Sequence, residues 1–244
     1  MELCLLAGEI MLKYGAETYR VEETMERMAV SNQMIDVHSF VTPTGIFFTF
    51  KSEGIGERTR VIRIDDRVID LNKVTMVNDL SRRFVEGQLT TDEAITELRA
   101  IDRQRLNYPV YVQHLAAGLA SGSFAIMFGG HLIDFAPAFF AGVIINICLL
   151  FIERRLKVKF IAEMLAAFVG GVIAITAVKL GFGLSLDQII IGALMPLVPG
   201  LPLTNAVRDI MAGDLLAGVG RGAEATLTAL SIAAGIAFAI SILL

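Results

Sequence analysis

Between Val110 and Leu244 the chain carries four runs of mainly apolar residues, Val110–Gly130, Phe135–Ile152, Phe160–Val178 and Ala223–Leu244. Each approaches the roughly 20 residues a helix needs to cross the hydrocarbon of a bilayer. No other feature constrains the fold as strongly, because backbone in lipid must satisfy its own hydrogen bonds and segments of this length do so as helices. A fifth run, Ile189–Val198, is shorter and ends in a proline cluster. The expected architecture for residues 109–244 is an all-α bundle of about five transmembrane helices, spanning about 110–130, 135–152, 160–178, 189–200 and 223–244, the fourth broken by prolines.

The first 108 residues are different. They hold 14 Lys and Arg and 18 Asp and Glu, whereas residues 109–244 hold seven of each sign. The net charge of −4 therefore belongs to the first part, and the composition shift places a boundary near Asn107-Tyr108-Pro109. Apolar residues at Leu3, Leu6, Ile10, Tyr14, Val21, Met25 and Met28 recur at helical spacing and predict one long amphipathic helix from Leu3 to Met28. Met34–Phe40, Ile46–Phe50 and Thr59–Ile64 read as three strands of an antiparallel meander, the first two separated by Thr42-Pro43-Thr44-Gly45. Leu71–Val85 has helical period, and Thr90-Thr91-Asp92-Glu93 is a capping box opening a further helix that ends near Arg105. Residues 1–108 are expected to form a small α+β domain.

The start lacks a basic n-region and meets Glu9 early, so the N-terminal domain is expected to stay on the cytosolic side, where it is made. Basic residues are retained on that side too. Arg154, Arg155, Lys157 and Lys159 place the loop between spans two and three inside, with Gly129–Asp134 and Lys179–Asp187 outside and the segment of Arg208 and Arg221 inside. That topology leaves the C-terminus outside. With no other basic run, nucleic acid is not an expected partner. Cys4 and Cys148 stand alone, with no disulfide framework or zinc spacing, and no cofactor motif is present.

Small residues recur at packing spacing within the apolar runs: Gly118 and Gly122, Ala166 and Gly170, Ala167 and Gly171, Gly218 and Gly222, Ser231 and Gly235. Several such pairs favour a close-packed bundle over a simple anchor. Polar residues at this depth are costly to bury and are functional candidates. Asn146, in the middle of span two, fits either a pathway ligand or an interhelical hydrogen bond. His114 and Glu163, each one turn into a span, fit either proton coupling or placement at the interface. Ser121, Ser123 and Thr176 are able to satisfy themselves on their own helix backbone.

Pro196, Pro199 and Pro202 cannot lie within one regular helix, so the fourth span must stop or unwind. Thr204 is then placed to cap a new helix ended by Gly213, with Asn205, Arg208 and Asp209 on one face. Broken backbone at membrane depth is tolerated where protein or a water-filled cavity meets it, and transporters use such half-helices for charged ligands. The competing reading is a polar connector whose prolines merely end the span.

Elsewhere the chemistry is sparse. His38, Asp65 and Asp66 converge in no motif, and Glu17 with Arg20 reads as a surface ion pair worth a few tenths of a kcal/mol.

Three stretches carry a family resemblance. Gly15-Ala-Glu-Thr-Tyr-Arg-Val-Glu22, Thr42-Pro-Thr-Gly-Ile46 and Pro199-Gly-Leu-Pro-Leu-Thr-Asn-Ala-Val-Arg-Asp-Ile-Met-Ala-Gly-Asp214 resemble the threonine/serine exporter family, and the likeness covers essentially the whole chain. In that family a cytosolic N-terminal domain precedes a first set of spans, and a second, smaller set follows in the same chain or as a separate subunit. With about five spans, this sequence resembles the larger subunit of the split form. The resemblance implies a small hydrophobic membrane subunit as partner and export of threonine and serine or of a dicarboxylate such as succinate. It brings no established set of binding residues.

The sequence thus points to a non-enzymatic subunit of a secondary exporter in a bacterial inner membrane, driven by the proton gradient and moving a small carboxylate-bearing metabolite. The physical reading assigns the substrate carboxylate to Arg208 and the Thr204-Asn205 helix start, a path-lining role to Asn146, and proton coupling to Asp209, Glu163 or His114. A membrane-anchored enzyme or a regulatory scaffold acting through the N-terminal domain are the rival classes. A homo-oligomer is compatible with each of these readings.

Overall fold

The computed structural model describes residues 1–52, 56–104, 108–156 and 158–244. Asn107 at the expected boundary, Arg105 at an expected helix end and Lys157 in the basic loop lie outside these residues. The chain divides into two compact units, Met1–Arg105 with Leu201–Gly222, and Leu106–Gly200 with Ala223–Leu244.

The first unit opens with α1 (Glu2–Lys13) and α2 (Thr18–Ser31). The single helix expected from Leu3 to Met28 is broken in two. Gly15 has φ +98°, a left-handed conformation that costs a side-chain-bearing residue strain, and α1 ends just before it. Helical periodicity resumes in phase after the turn, which hides the break from a periodicity count. Leu3, Cys4, Leu5, Ala7, Ile10, Met11 and Leu12 are all buried, so α1 is the central helix of this unit.

Strands β1 (Ile35–Thr42), β2 (Gly45–Ser52) and β3 (Gly56–Arg63) form the expected antiparallel meander in the order β1-β2-β3. Ile46, Phe48 and Phe50 alternate on the buried face of β2 and reach the core formed with Leu3, Ile10, Met25 and Met28. Helices α3 (Leu71–Val85) and α4 (Thr91–Arg103) complete that core through Val77, Leu80 and Leu98. Asp70 caps α3 at Lys73 N, and the Thr90 and Glu93 capping box opens α4 as expected. Helix α9 (Gly200–Ala212) and the first turns of α10 (Leu215–Leu243) belong to the same unit.

The second unit holds α5 (Val110–Met127), α6 (Phe135–Leu156), α7 (Lys159–Lys179), α8 (Leu186–Leu194) and the remainder of α10. Among the described residues, α5, α7, α10 and the 25 residues Leu132–Leu156 are long and apolar enough to cross a membrane. A fifth span results if Leu186–Leu197 and Gly200–Ala212 count as one broken span.

Close helix contacts use the small residues. A Cβ added at Gly118 would sit 2.6 Å from Val143 Cγ2, and one at Gly122 would sit 2.8 Å from the Phe135 ring, so α5 lies directly on α6. Gly192 of α8 approaches Ser121 O to 2.6 Å by the same measure, and Gly171 of α7 approaches Ala239 of α10 to 2.8 Å. Gly235 of α10 faces the Met164 carbonyl with no room for a methyl group. Backbones this close are what small residues permit in a bundle. Thr176 bonds its own helix at Val172 O, but Ser121 donates to Ala193 O of α8 at 3.4 Å and so links two helices.

Asp134 ties two loops of this unit together. It is fully buried; its Oδ1 accepts from Leu184 N (2.6 Å) and Ser185 N (3.1 Å), and its Oδ2 accepts from His131 N (2.8 Å).

Candidate functional site

Helix α2 begins without help from its own sequence. Its N-cap is Glu17, which makes no side-chain capping bond, so the first amides of α2 need partners from elsewhere. The first partner comes from α9, 191 residues later: Asp209 Oδ1 accepts from Thr18 N at 3.2 Å and from Thr18 Oγ1 at 2.8 Å. A carboxylate at a helix N-terminus also meets the positive end of the helix dipole. Thr18 Oγ1 lies 3.2 Å from Asp214 Oδ2 as well.

The carbonyls of the same turn are taken up in order. Asn205 Nδ2 donates to Gly15 O at 3.1 Å, and Arg221 Nη2 donates to Ala16 O at 2.8 Å. Arg208 Nη1 then pairs with Glu17 Oε1 at 2.6 Å. The turn from Gly15 to Thr18 is thus held residue by residue from α9 and the start of α10. The β1–β2 turn borders this clamp, since a Cβ at Gly220 would lie 3.9 Å from Pro43 Cγ. The three stretches singled out in the sequence therefore meet in one place.

Charge at this clamp is unevenly solvated. Asp209 is fully buried and Arg221 nearly so, with Arg221 Nε 3.3 Å from Asp209 Oδ2; the pair attracts through charge, without hydrogen-bond geometry at that oxygen. Glu17 is only 7% exposed, whereas the Arg208 side chain is 57% exposed. The expected surface pair of Glu17 with Arg20 is weak, at 3.8 Å, and Arg208 is the closer partner. Burial works to raise the Glu17 pKa, but hydrogen bonds from its own amide and from Arg208, with the charges of Arg20 and Arg208, hold it below the ordinary glutamate value.

A partly buried network fixes the end of α1 on the other side of the turn. Lys73 Nζ donates to Tyr14 OH (2.9 Å) and to Asp102 O (2.8 Å), and Tyr14 OH donates to Asp102 Oδ1 (3.0 Å). These contacts join α1, α3 and α4 next to Gly15.

The carboxyl of Glu22, one turn into α2, is strongly displaced. Burial is the largest cause and pushes it up to about 6; the Val41 amide, which donates to Oε1 at 2.7 Å, opposes this, and the charges of Asp214, Glu26 and Asp209 add to it. An acid whose pKa rises on folding binds its proton more tightly in the folded state. Its penalty is therefore present above about pH 6 and gone below the unfolded value near 4.5. At most about 2 kcal/mol is involved, and water over the part-exposed carboxylate reduces this to about 1 kcal/mol. Glu22→Gln is expected to raise stability by about that amount at pH 7 and to match the parent protein at pH 4.5. Unfolding midpoints across this range test it, and an equal gain at both pH values would reject the charge explanation.

The helix start expected at Thr204 is displaced. Helix α9 starts at Gly200, and Thr204 sits exposed in its second turn, so it is not the cap. Pro202 falls in the first turn, where amides have no intrahelical partner and a missing donor costs little. Gly213, at φ +95°, ends the helix as expected.

In the second unit two candidates come together: His114 Nδ1 lies 2.7 Å from Asn146 Oδ1, joining α5 and α6. Accepting at Asn146 Oδ1 puts a proton on Nδ1 and leaves Nε2 as the other ring nitrogen available to a ligand or proton. Glu163 of α7 is 5% exposed; its Oε1 accepts from Thr228 Oγ1 of α10 at 3.3 Å, while its Oε2 has no hydrogen-bond partner among the described residues. Lys159 stands 4.0 Å from Glu163 Oε1 and 3.0 Å from Glu224 Oε1.

Two polar groups weighed in the sequence lie elsewhere, at the surface. His38 and Asp65 are exposed and paired with Asp36 and Arg63. Among the described residues no group of three His, Cys, Asp or Glu side chains is arranged to hold a metal ion.

Nothing within about three residues of Thr18 or Asp209 forecasts their bond. The signal that was available is negative: a helix starting at Glu17-Thr18 with no capping bond of its own.

The family model described as "Putative threonine/serine exporter" matches residues 2–243. A protein of Escherichia coli K12 named "Probable succinate transporter subunit YjjP" is 29% identical over 242 residues, covering 98% of this chain and 93% of its own. The protein of that name from Klebsiella aerogenes is 27% identical over 240 residues, covering 98% and 92%. An uncharacterised protein of Schizosaccharomyces pombe is 23% identical over 243 residues, 97% of this chain but 29% of its own. No solved structure matches. With a family match running almost from end to end, and with all three clamped stretches inside it, the chain belongs to the threonine/serine exporter family of membrane transport proteins.

Proposed function

We propose that the protein is one subunit of a secondary exporter that carries a small carboxylate-bearing metabolite, a dicarboxylate such as succinate or else threonine and serine, outward across a bacterial inner membrane. The observation that carries this reading is the end-to-end alignment with relatives named as succinate transporter subunits, inside an exporter family. Four apolar helices of spanning length support the membrane setting. The word subunit in the relatives' names supports a partner, which we take to be a small hydrophobic membrane protein. Arg154 and Arg155 in the last turn of α6 and Lys159 at the start of α7 support a cytoplasmic N-terminal domain and an external C-terminus.

Within the first unit Arg208 is the residue best suited to a substrate carboxylate. Its guanidinium is more than half exposed while its intramolecular partner Glu17 is buried, so donors remain on its open side. Asn205 and Asp209 are engaged with the α1–α2 turn, and their part is to position Arg208; Thr204, exposed one turn before Arg208, is the neighbouring polar contact. Within the second unit the His114 and Asn146 pair is the polar lining, and Glu163, with one carboxylate oxygen unbonded, is the proton carrier.

Efflux of labelled succinate and labelled threonine from cells co-expressing the partner tests the reading. Arg208→Ala, at normal protein level, is expected to slow efflux about tenfold or more, the value of one charge-assisted hydrogen bond of roughly 1.5–3 kcal/mol. Unchanged efflux would remove Arg208 from the substrate path, and absence of efflux of either compound from the parent pair would reject the function.

A further inference from the structure

Two helix faces of the first unit border a cleft of about 490 Å3 that the clamp does not use. Helix α2 contributes Arg20, Glu23, Thr24 and Arg27, and α3 contributes Asn78, Ser81 and Arg82, followed by Glu86. The first four are spaced i, i+3, i+4 and i+7, one continuous face of a helix.

The two carboxylates of the cleft are already engaged. Glu23 pairs with Arg27 one turn away, and Glu86 Oε2 accepts from Gln88 Nε2 at 2.8 Å. What is left over is all of one kind. The Arg82 side chain has no hydrogen bond or ion pair among the described residues, and Arg20 comes no nearer to a carboxylate than 3.8 Å, at Glu17. Thr24 lines the cleft, and its hydroxyl, which is open to solvent there, has no hydrogen-bond partner among the described residues. Ser81 is not in the same position, because its hydroxyl donates to Asn78 O at 2.7 Å.

We propose that this cleft binds a small oxyanion, a dicarboxylate or a phosphate, with Arg20 and Arg82 holding its charge and Thr24 Oγ1 donating to it. Guanidinium forks match the paired oxygens of either group, and the surplus of donors over acceptors in the cleft selects a ligand that only accepts. The site is separate from Arg208, which does not line it. It communicates with the clamp through Arg20, because Glu17 stands between Arg20 and Arg208. An occupant that draws Arg20 into the cleft leaves Glu17 to Arg208 alone, so a cytosolic anion bound here regulates the clamp.

The test is equilibrium binding to the purified full-length protein in lipid nanodiscs, with labelled succinate and labelled inorganic phosphate as separate arms and acetate as the monovalent control. One of the two divalent anions is expected to bind saturably, and the arm that binds identifies the source. Arg82→Gln, at an exposed residue without partners and so neutral for folding, is expected to weaken binding about tenfold. Thr24→Val, which keeps the shape, is expected to weaken it severalfold, and Arg58→Gln, at an exposed arginine of β3 that does not line the cleft, to leave it unchanged. The proposal is overturned by equal binding in Arg82→Gln and the parent protein, by an equal loss in Arg58→Gln, by acetate binding as well as the divalent anions, or by no saturable binding of either.

Discussion

Asp209→Ala is expected to destabilise the first unit by about 3–5 kcal/mol, the range for removing one partner of a buried charge pair. Three groups lose a partner at once. Thr18 N is left without an acceptor, Thr18 Oγ1 keeps only Asp214 Oδ2 at 3.2 Å, and Arg221, itself nearly buried, loses the carboxylate 3.3 Å from its Nε. The cost lies mainly in stranding the arginine, since a neutral hydrogen bond alone is worth about 1 kcal/mol. Two companion substitutions separate the contributions. Asp209→Asn keeps an acceptor for Thr18 but removes the charge, and should lose about half as much; Thr18→Val removes the hydroxyl and keeps the amide, and should lose about 1 kcal/mol. Unfolding midpoints of the solubilised protein, with proteolysis between Gly15 and Thr18 as a local readout, measure the series. An Asp209→Ala protein as stable as its parent would mean that the clamp holds nothing.

The second large effect is expected in the other unit. Asp134→Ala deprives Leu184 N, Ser185 N and His131 N of their acceptor in a fully buried position. Hydrogen bonds to a charged acceptor are worth about 1.5–3 kcal/mol each, and because Leu184 and His131 are themselves exposed water replaces part of that, so a loss of about 3 kcal/mol is expected. The two loops that Asp134 joins, before α6 and before α8, should then open to protease while α5 to α7 stay helical. Asp134→Asn retains one acceptor oxygen and should recover roughly half of the loss. Protease resistance of both loops in Asp134→Ala, with an unchanged midpoint, would show that the three amides find other partners.

Some of this was readable residue by residue. The apolar runs marked α5, α6, α7 and α10, because a helix in lipid must be both long and apolar and few other sequences are. The beginning of α10 was missed by eight residues, since Leu215–Gly222 carries Arg221, which reads as an interruption until its partners Ala16 O and Asp209 are seen. The capping box at Thr90 and the meander were legible for a different reason: both are decided by residues within a few positions of each other. The same local logic failed at Gly15, where a helical period carried across a turn, and at Thr204, where Pro202 seemed to forbid a helix that had in fact already begun at Gly200.

The candidate site was legible only as a set of names. Asn205, Arg208 and Asp209 were recognisable as a polar helix face after a proline break, and His114, Asn146 and Glu163 as polar residues in apolar runs. Their partners were not. Each partner follows from which helix end lacks a cap, which carbonyl faces inward and which backbone can approach closely, and none of these is a property of neighbouring residues.

By itself, the sequence determined that a charged segment precedes an apolar one, which runs are long and apolar enough to cross a bilayer, and where proline and glycine interrupt the backbone, because hydrophobic length and backbone sterics act over a few residues. Tertiary structure alone decided that Asp209 caps α2, that Arg208 meets Glu17 rather than standing free, and that His114 meets Asn146. The physical reason is that a buried polar group must be paired, and the chain meets that demand with whichever partner folding brings near, here about 190 residues away for the clamp.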